Sequence, residues 1–170
     1  QRSVRGLFCG GTLCAEALFV LRGRLGKIRS NVSHRDGEKI DGKEVCRGSV
    51  LLDLGDDEFT NGRPHPMIEP SLRNGKIAEQ GDDPEVGVIL LDFELGYGSG
   101  DPAGETVPAI REARARARAQ GRELAVVGYI CGTAADKQDL SGQRAALLAE
   151  GVILAESNVE AAQTAADILL

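Results

Sequence analysis

The sequence predicts an α/β domain in which a parallel sheet carries helices on both faces. Three observations predict it. Apolar runs of strand length stand at 4–9, 49–54, 86–91, 124–131 and 152–155, and they are nearly continuous rather than alternating. Strands covered on both faces read that way. Segments of helical period separate these runs, so consecutive strands need crossover connections, which make them parallel. Glycine stands where strand turns into helix, at Gly10, Gly11, Gly55, Gly96 and Gly132.

Each element has its own signal. The strand at 4–9 stops at Gly10-Gly11-Thr12, and 13–25 follows as a helix apolar on most of its faces, hence largely buried. Residues 28–47 are polar, with turn signals at Asp36-Gly37 and Asp41-Gly42, and read as a surface hairpin or a mobile insertion. After the strand at 49–54 comes the acidic turn Gly55-Asp56-Asp57-Glu58 and the proline-rich Arg63-Pro64-His65-Pro66. A helix is placed over 66–80, with Pro70 allowed only in its first turn or as a break. The strand at 86–91 leads to the loop holding Gly96, Gly98, Gly100 and Gly104. An alanine- and arginine-rich helix follows over 103–120, ended by Gly121. The strand at 124–131 turns at Gly132-Thr133 into a helix at 141–150 closed by Gly151. A last strand at 152–155 precedes a helix at 159–169 that Ser157-Asn158 can cap.

Composition bounds the function. A chain of 170 residues with 42% hydrophobic and 27% charged residues is a single globular domain. A formal charge of −6 argues against nucleic-acid binding, which needs a basic face. The run Arg111, Arg114, Arg116, Arg118 reads as the solvated face of a helix. Cys9, Cys14, Cys46 and Cys131 form no CxxC pair, so reduced thiols in a cytoplasmic protein fit better than zinc or a disulfide framework, and no metal is predicted. The apolar stretch 6–21 contains Glu16 and is too short to cross a bilayer, and no signal peptide is visible. A start at Gln1, directly before a strand, suggests a piece of a longer polypeptide.

Ligands of such sheets bind beyond the carboxyl ends of the strands. There, glycine turns let backbone N–H groups approach a ligand, and helix N-termini add partial positive charge. Gly10, Gly11, Thr12, Gly96, Gly132 and Thr133 are therefore candidates for holding a phosphate or carboxylate. Tight strand-to-helix turns need glycine whatever they bind, so spacing alone leaves a purely structural reading open. No P-loop and no nicotinamide fingerprint are present. Asp56, Asp57 and Glu58 suit either Mg²⁺ or an acidic surface turn. His65, stiffened between prolines, suits a catalytic base or nucleophile, or equally a packed loop, whereas His34 lies in the polar insertion and reads as solvated. Glu94 ends a strand at the ligand edge, where partial burial would raise its pKa and fit it for proton transfer. Cys131, on the next strand, is either a thiol activated near helix N-termini or an inert buried one.

The stretches RGLFCGGTLCAEAL, LDLGDDEFTNGRPHPMIEPSLRN and DPEVGVILLDFELGYGSGDPAGE resemble the FdrA family, relatives of succinyl-CoA synthetase. VVGYICGTAADKQ and LLAEGVILAESNVEAA extend the resemblance over nearly the whole chain. It implies the flavodoxin-like fold of the CoA-ligase domain shared with ATP-citrate lyase, here spanning 1–170. It also implies a preceding CoA-binding domain, CoA and ATP with Mg²⁺ in the complete protein, a homo- or hetero-oligomer, and a small acyl or carbamoyl phosphate as substrate. In the wider group the segment matching Gly10-Gly11-Thr12-Leu13 opens a helix whose N-terminus holds the phosphate of a phosphohistidine, and a glutamate matching Glu94 orients that histidine. The group's histidine loop follows the segment matching 128–132, where this chain has Thr133-Ala134-Ala135-Asp136 and no histidine; His65 lies in another loop. Three functions follow as expectations: acyl-CoA ligation, carbamoyl transfer with oxamate, or a subunit-pairing scaffold.

Overall fold

The computed structural model describes residues 1–41, 44 and 46–170. Its elements, in chain order, are β1 (Ser3–Phe8), α1 (Gly11–Leu25), β2 (Arg29–Ser30), β3 (Val50–Asp53), α2 (Asp57–Thr60), α3 (Ser71–Glu79), β4 (Val86–Glu94), α4 (Pro102–Ala119), β5 (Ala125–Cys131), α5 (Leu140–Ala149), β6 (Ile153–Ala155) and α6 (Asn158–Leu169).

All strands run parallel in one 6-stranded sheet of order β2-β3-β1-β4-β5-β6. Without its short edge strand β2, this is the doubly wound flavodoxin-like order. The sheet side chains alternate between two cores. Val88 and Leu90 of β4 face α1 and α6, packing with Cys14, Leu18, Leu21, Ala162 and Ala166. Ile89, Leu91 and Phe93 face the opposite way, into a core shared with Ile77 of α3, Ile110 and Ala113 of α4 and Leu147 of α5. The molecule thus has three layers, as the apolar runs predict.

Helix ends follow local chemistry. Asp101 caps α4 by accepting from the Gly104 N–H, with Pro102 in the first turn. Ser157 caps α6 by accepting from the Glu160 N–H at 3.1 Å. Gly121 and Gly151 follow α4 and α5 with φ of 70° and 69°, the left-handed geometry that ends helices. No helix among the described residues is long and apolar enough to cross a membrane.

Two regions differ from the sequence reading. The polar stretch after α1 contains no hairpin among its described residues. Instead Arg29 and Ser30 add a parallel strand beside β3, with Ser30 also bridging to Lys39. Half of the expected Asp41-Gly42 turn lies outside the described residues. The helix expected over 66–80 begins only at Ser71, because a residue before proline avoids helical backbone and Pro70 sits just ahead of the first turn.

Candidate functional site

The order of winding reverses at β1: the chain moves to one side of it for β2 and β3, then crosses to the other for β4. The carboxyl ends of β1 and β4 therefore frame the crevice where ligands of such sheets bind. Cys9 and Gly10 leave β1 here, and Asp92 and Glu94 close β4.

Asp92 is fully buried, and its carboxylate holds the β1–α1 turn. Oδ1 accepts from the Cys9 N–H at 2.8 Å and Oδ2 from the Gly10 N–H at 2.9 Å. A buried carboxylate needs a cation as well. Arg73, 3% exposed on α3, supplies it, with Nη1 3.2 Å from Oδ1 and 2.7 Å from the Asp92 carbonyl oxygen. Nη2 of Arg73 reaches Thr106 Oγ1 at 3.3 Å, and the guanidinium carbon lies 5.3 Å from the centre of the Phe93 ring. The ion pair thus ties α3 and α4 to the turn that opens α1.

Glu94, the last residue of β4, packs its carboxyl against Gly10. Its Oε1 is enclosed and has no hydrogen-bond partner. Burial, then the nearby Asp92 charge, push its pKa up to about 10, so it stays protonated at neutral pH. Behind it is a cavity of about 10 Å³, bounded in part by Cys9, Arg73, Phe93 and Glu105. That is no more than one water needs, so any substrate meets Glu94 from the solvent side.

The turn itself is drawn tight. A Cβ on Gly10 would lie 2.7 Å from Glu94 Oε1, and one on Gly11 would lie 2.6 Å from Asp53 Oδ2. Asp53, whose Oδ1 accepts from the Gly55 N–H, also has a raised pKa, chiefly through burial. No side chain caps α1. The N–H groups of Gly11 and Thr12 have no partner among the described residues, and Thr12 is exposed. Free first-turn amides beside the helix dipole make this turn receptive to an anion.

The other expected anion-binding positions share this edge but not this freedom. Glu94 pairs in register with Cys131, so the β4 and β5 ends are adjacent. Gly96 has φ of 110°; its N–H donates to Gln138 Oε1 at 3.0 Å and its carbonyl accepts from Gln138 Nε2 at 2.9 Å. The Thr133 N–H and hydroxyl both go to Asp136 Oδ2, at 2.6 and 3.2 Å. A Cβ on Gly132 would lie 2.6 Å from Leu95 Cγ. Gly96 and Thr133 thus spend their amides on Gln138 and Asp136, whereas the β1–α1 turn leaves two successive first-turn amides, of Gly11 and Thr12, free among the described residues.

His65 comes to the same corner from the proline-rich loop. A Cβ on Gly55 would collide with His65 Nε2 and lie 2.7 Å from the Cys9 carbonyl oxygen. Cys131 is exposed, contrary to the buried alternative. Asp56 caps α2 through Glu58 N–H at 3.0 Å, a structural use of the acidic turn. In the arginine run, Arg111 pairs with Glu150, and Arg116 with Asp82 and Glu112.

Cys9, Asp92 and Glu94 offer ligand atoms that all lie within 4.8 Å of one another. Of these, Asp92 already holds the Arg73 guanidinium and the Cys9 and Gly10 amides, and burial raises the pKa of both the Cys9 thiol and the Glu94 carboxyl. A wider hollow, lined by Phe19, Arg24, Lys27 and Arg35 among others, adjoins the carboxyl end of α1, the opposite end of that helix from Gly11 and Thr12.

Sequence reasoning gave Asp53, Asp92 and Arg73 no role. A signal existed: an Asp at the end of the apolar run of β4 requires a buried positive partner, and Arg73 of α3 supplies it.

Comparison with known proteins agrees with this architecture. The chain is 47% identical over 161 residues to the uncharacterized protein YahF of Escherichia coli (strain K12), an alignment covering 93% of this chain and 31% of YahF. The chain thus spans about a third of the length of that relative. The CoA-ligase family model matches residues 7–168, and with that match over a doubly wound parallel sheet the chain belongs to the CoA-ligase family.

Proposed function

We propose that this domain holds the phosphate of an acyl phosphate at the first turn of α1, as part of an FdrA-type relative of succinyl-CoA synthetase. The observation that carries the reading is the open β1–α1 turn. Gly11 and Thr12 present free amides at the switch point, and Asp92 fixes the turn from behind. Glu94 stands beside them with a proton to give or share. CoA, and ATP with Mg²⁺, belong in this reading to a companion CoA-binding domain and to the assembled oligomer. Thr12→Asp, which sets a carboxylate against the anion, and Glu94→Gln in the complete protein are expected to abolish acyl-CoA formation from CoA and acyl phosphate; unchanged turnover rejects the reading.

One observation favours a second chemistry at the same site. The loop after β5 carries Thr133 and Asp136 bonded to each other, and no histidine that could be phosphorylated. Carbamoyl phosphate would suit the α1 turn and needs no phosphohistidine. An assay with oxamate and carbamoyl phosphate separates carbamoyl transfer from CoA ligation. A domain that pairs subunits but binds neither phosphate would be a scaffold.

A further inference from the structure

The only imidazole beside the α1 turn is that of His65, and its ring nitrogens are not equivalent. The Met67 N–H donates to His65 Nδ1 at 3.2 Å. A nitrogen that accepts a hydrogen bond from an amide has a free lone pair and carries no proton, so in the neutral ring the proton is on Nε2. Nε2 is the atom against Gly55, on the side of the Cys9 carbonyl from which the α1 turn begins. It makes no hydrogen bond among the described residues. The ring is held in place at its base. Prolines at 64 and 66 restrict the backbone, and the His65 carbonyl accepts from the N–H groups of Ile68 at 2.8 Å and Glu69 at 3.0 Å.

A nucleophilic or basic imidazole must present a lone pair to the reacting atom. His65 presents N–H. We propose that His65 is a fixed Nε2–H donor that completes the anion site at the α1 turn, and is neither a nucleophile nor a general base. This rests on the reading of the preceding subsection and deepens it: the oxyanion would be met by the amides of Gly11 and Thr12 and by the His65 Nε2–H. Asp53 marks how close the turn and the ring lie: a Cβ on Gly11 would be 2.6 Å from its Oδ2, and its Oδ1 accepts from the N–H of Gly55, the glycine against which His65 Nε2 rests.

Nitrogen-resolved NMR of this chain tests the two claims separately. The molecule has only two histidines, and His34→Gln leaves one ring to observe. The expected result is a His65 ring with a proton on Nε2 and none on Nδ1. Acetyl phosphate should then shift that Nε2 resonance together with the Gly11 and Thr12 amides, and His65→Phe should weaken acetyl phosphate binding about tenfold, with His65→Gln recovering part of it through its own N–H. A proton on Nδ1 overturns the donor role and leaves the anion site standing. Amides that shift without His65 also overturn it. If neither the amides nor the ring respond, the anion site falls and the donor role falls with it.

Discussion

Gly10 and Glu94 sit so close that a Cβ on Gly10 would lie 2.7 Å from Glu94 Oε1. The backbone of Gly10, with φ of −108° and ψ of 116°, is one that any residue adopts. Its glycine is therefore required by the neighbouring carboxyl and not by conformation. Gly10→Ala is expected to fold, with a loss of about 1–2 kcal/mol as the Glu94 side chain is driven outward. The informative readout is the Glu94 carboxyl resonance, which should titrate markedly lower in the variant once exposed to water.

Arg73 and Asp92 form a buried pair whose partners cannot be lost singly without cost. Arg73→Met leaves the Asp92 carboxylate without its cation and should cost about 3–5 kcal/mol in denaturant unfolding. Asp92→Asn keeps an acceptor for the turn amides but strands the guanidinium. The double variant should recover part of the loss, giving a clear coupling in a double-mutant cycle. Additive losses would show that the pair acts independently.

Glu94 links stability to pH. Its folded pKa is raised to about 10 from an ordinary 4.5, so the folded chain retains a proton that the unfolded chain releases. Its favourable contribution is complete below about pH 4.5 and is lost progressively as pH rises towards 10. Glu94→Gln cannot ionise. Its stability relative to the wild type should grow steadily across that window, as read by urea unfolding at a series of pH values.

Gln138 splints the loop after β4. Its amide bonds both backbone groups of Gly96 and the Ser99 carbonyl, the last at 3.0 Å, while the Ser99 N–H is held by the Met67 carbonyl at 2.7 Å. The loop therefore holds the wholly exposed Tyr97 on a fixed base. Gln138→Ala should speed hydrogen exchange at the Gly96 amide by at least about tenfold and leave the exchange of β4 amides unchanged.

The legible part of the molecule was what repeats. Continuous apolar strands and intervening helices settle the layered parallel sheet, because only covered strands tolerate runs such as that of β4. The position of Gly10, Gly11 and Glu94 at the carboxyl edge of the sheet was legible because strand ends and a glycine turn mark it. Arg73 was not, since its partner Asp92 is 19 residues away and only packing of α3 brings them together. β2 was invisible for a similar reason: Arg29-Ser30 carries no apolar signal and is a strand only because the edge of β3 is available. Nor could sequence tell which glycine turns keep their amides free. Gln138 holds the Gly96 amide from 42 residues away, and Asp136 holds the Thr133 amide within a local turn.

The central claim is that the open first turn of α1 takes a phosphate. Calorimetric titration of the chain with acetyl phosphate, beside Thr12→Asp, tests it most directly. An added carboxylate at this exposed first-turn position should stabilise the helix by about 0.3–1 kcal/mol through the dipole while repelling an anion. The account predicts binding by the wild type that weakens with salt, and no binding by an equally folded Thr12→Asp. Equal binding by both, or heat from neither, would contradict it.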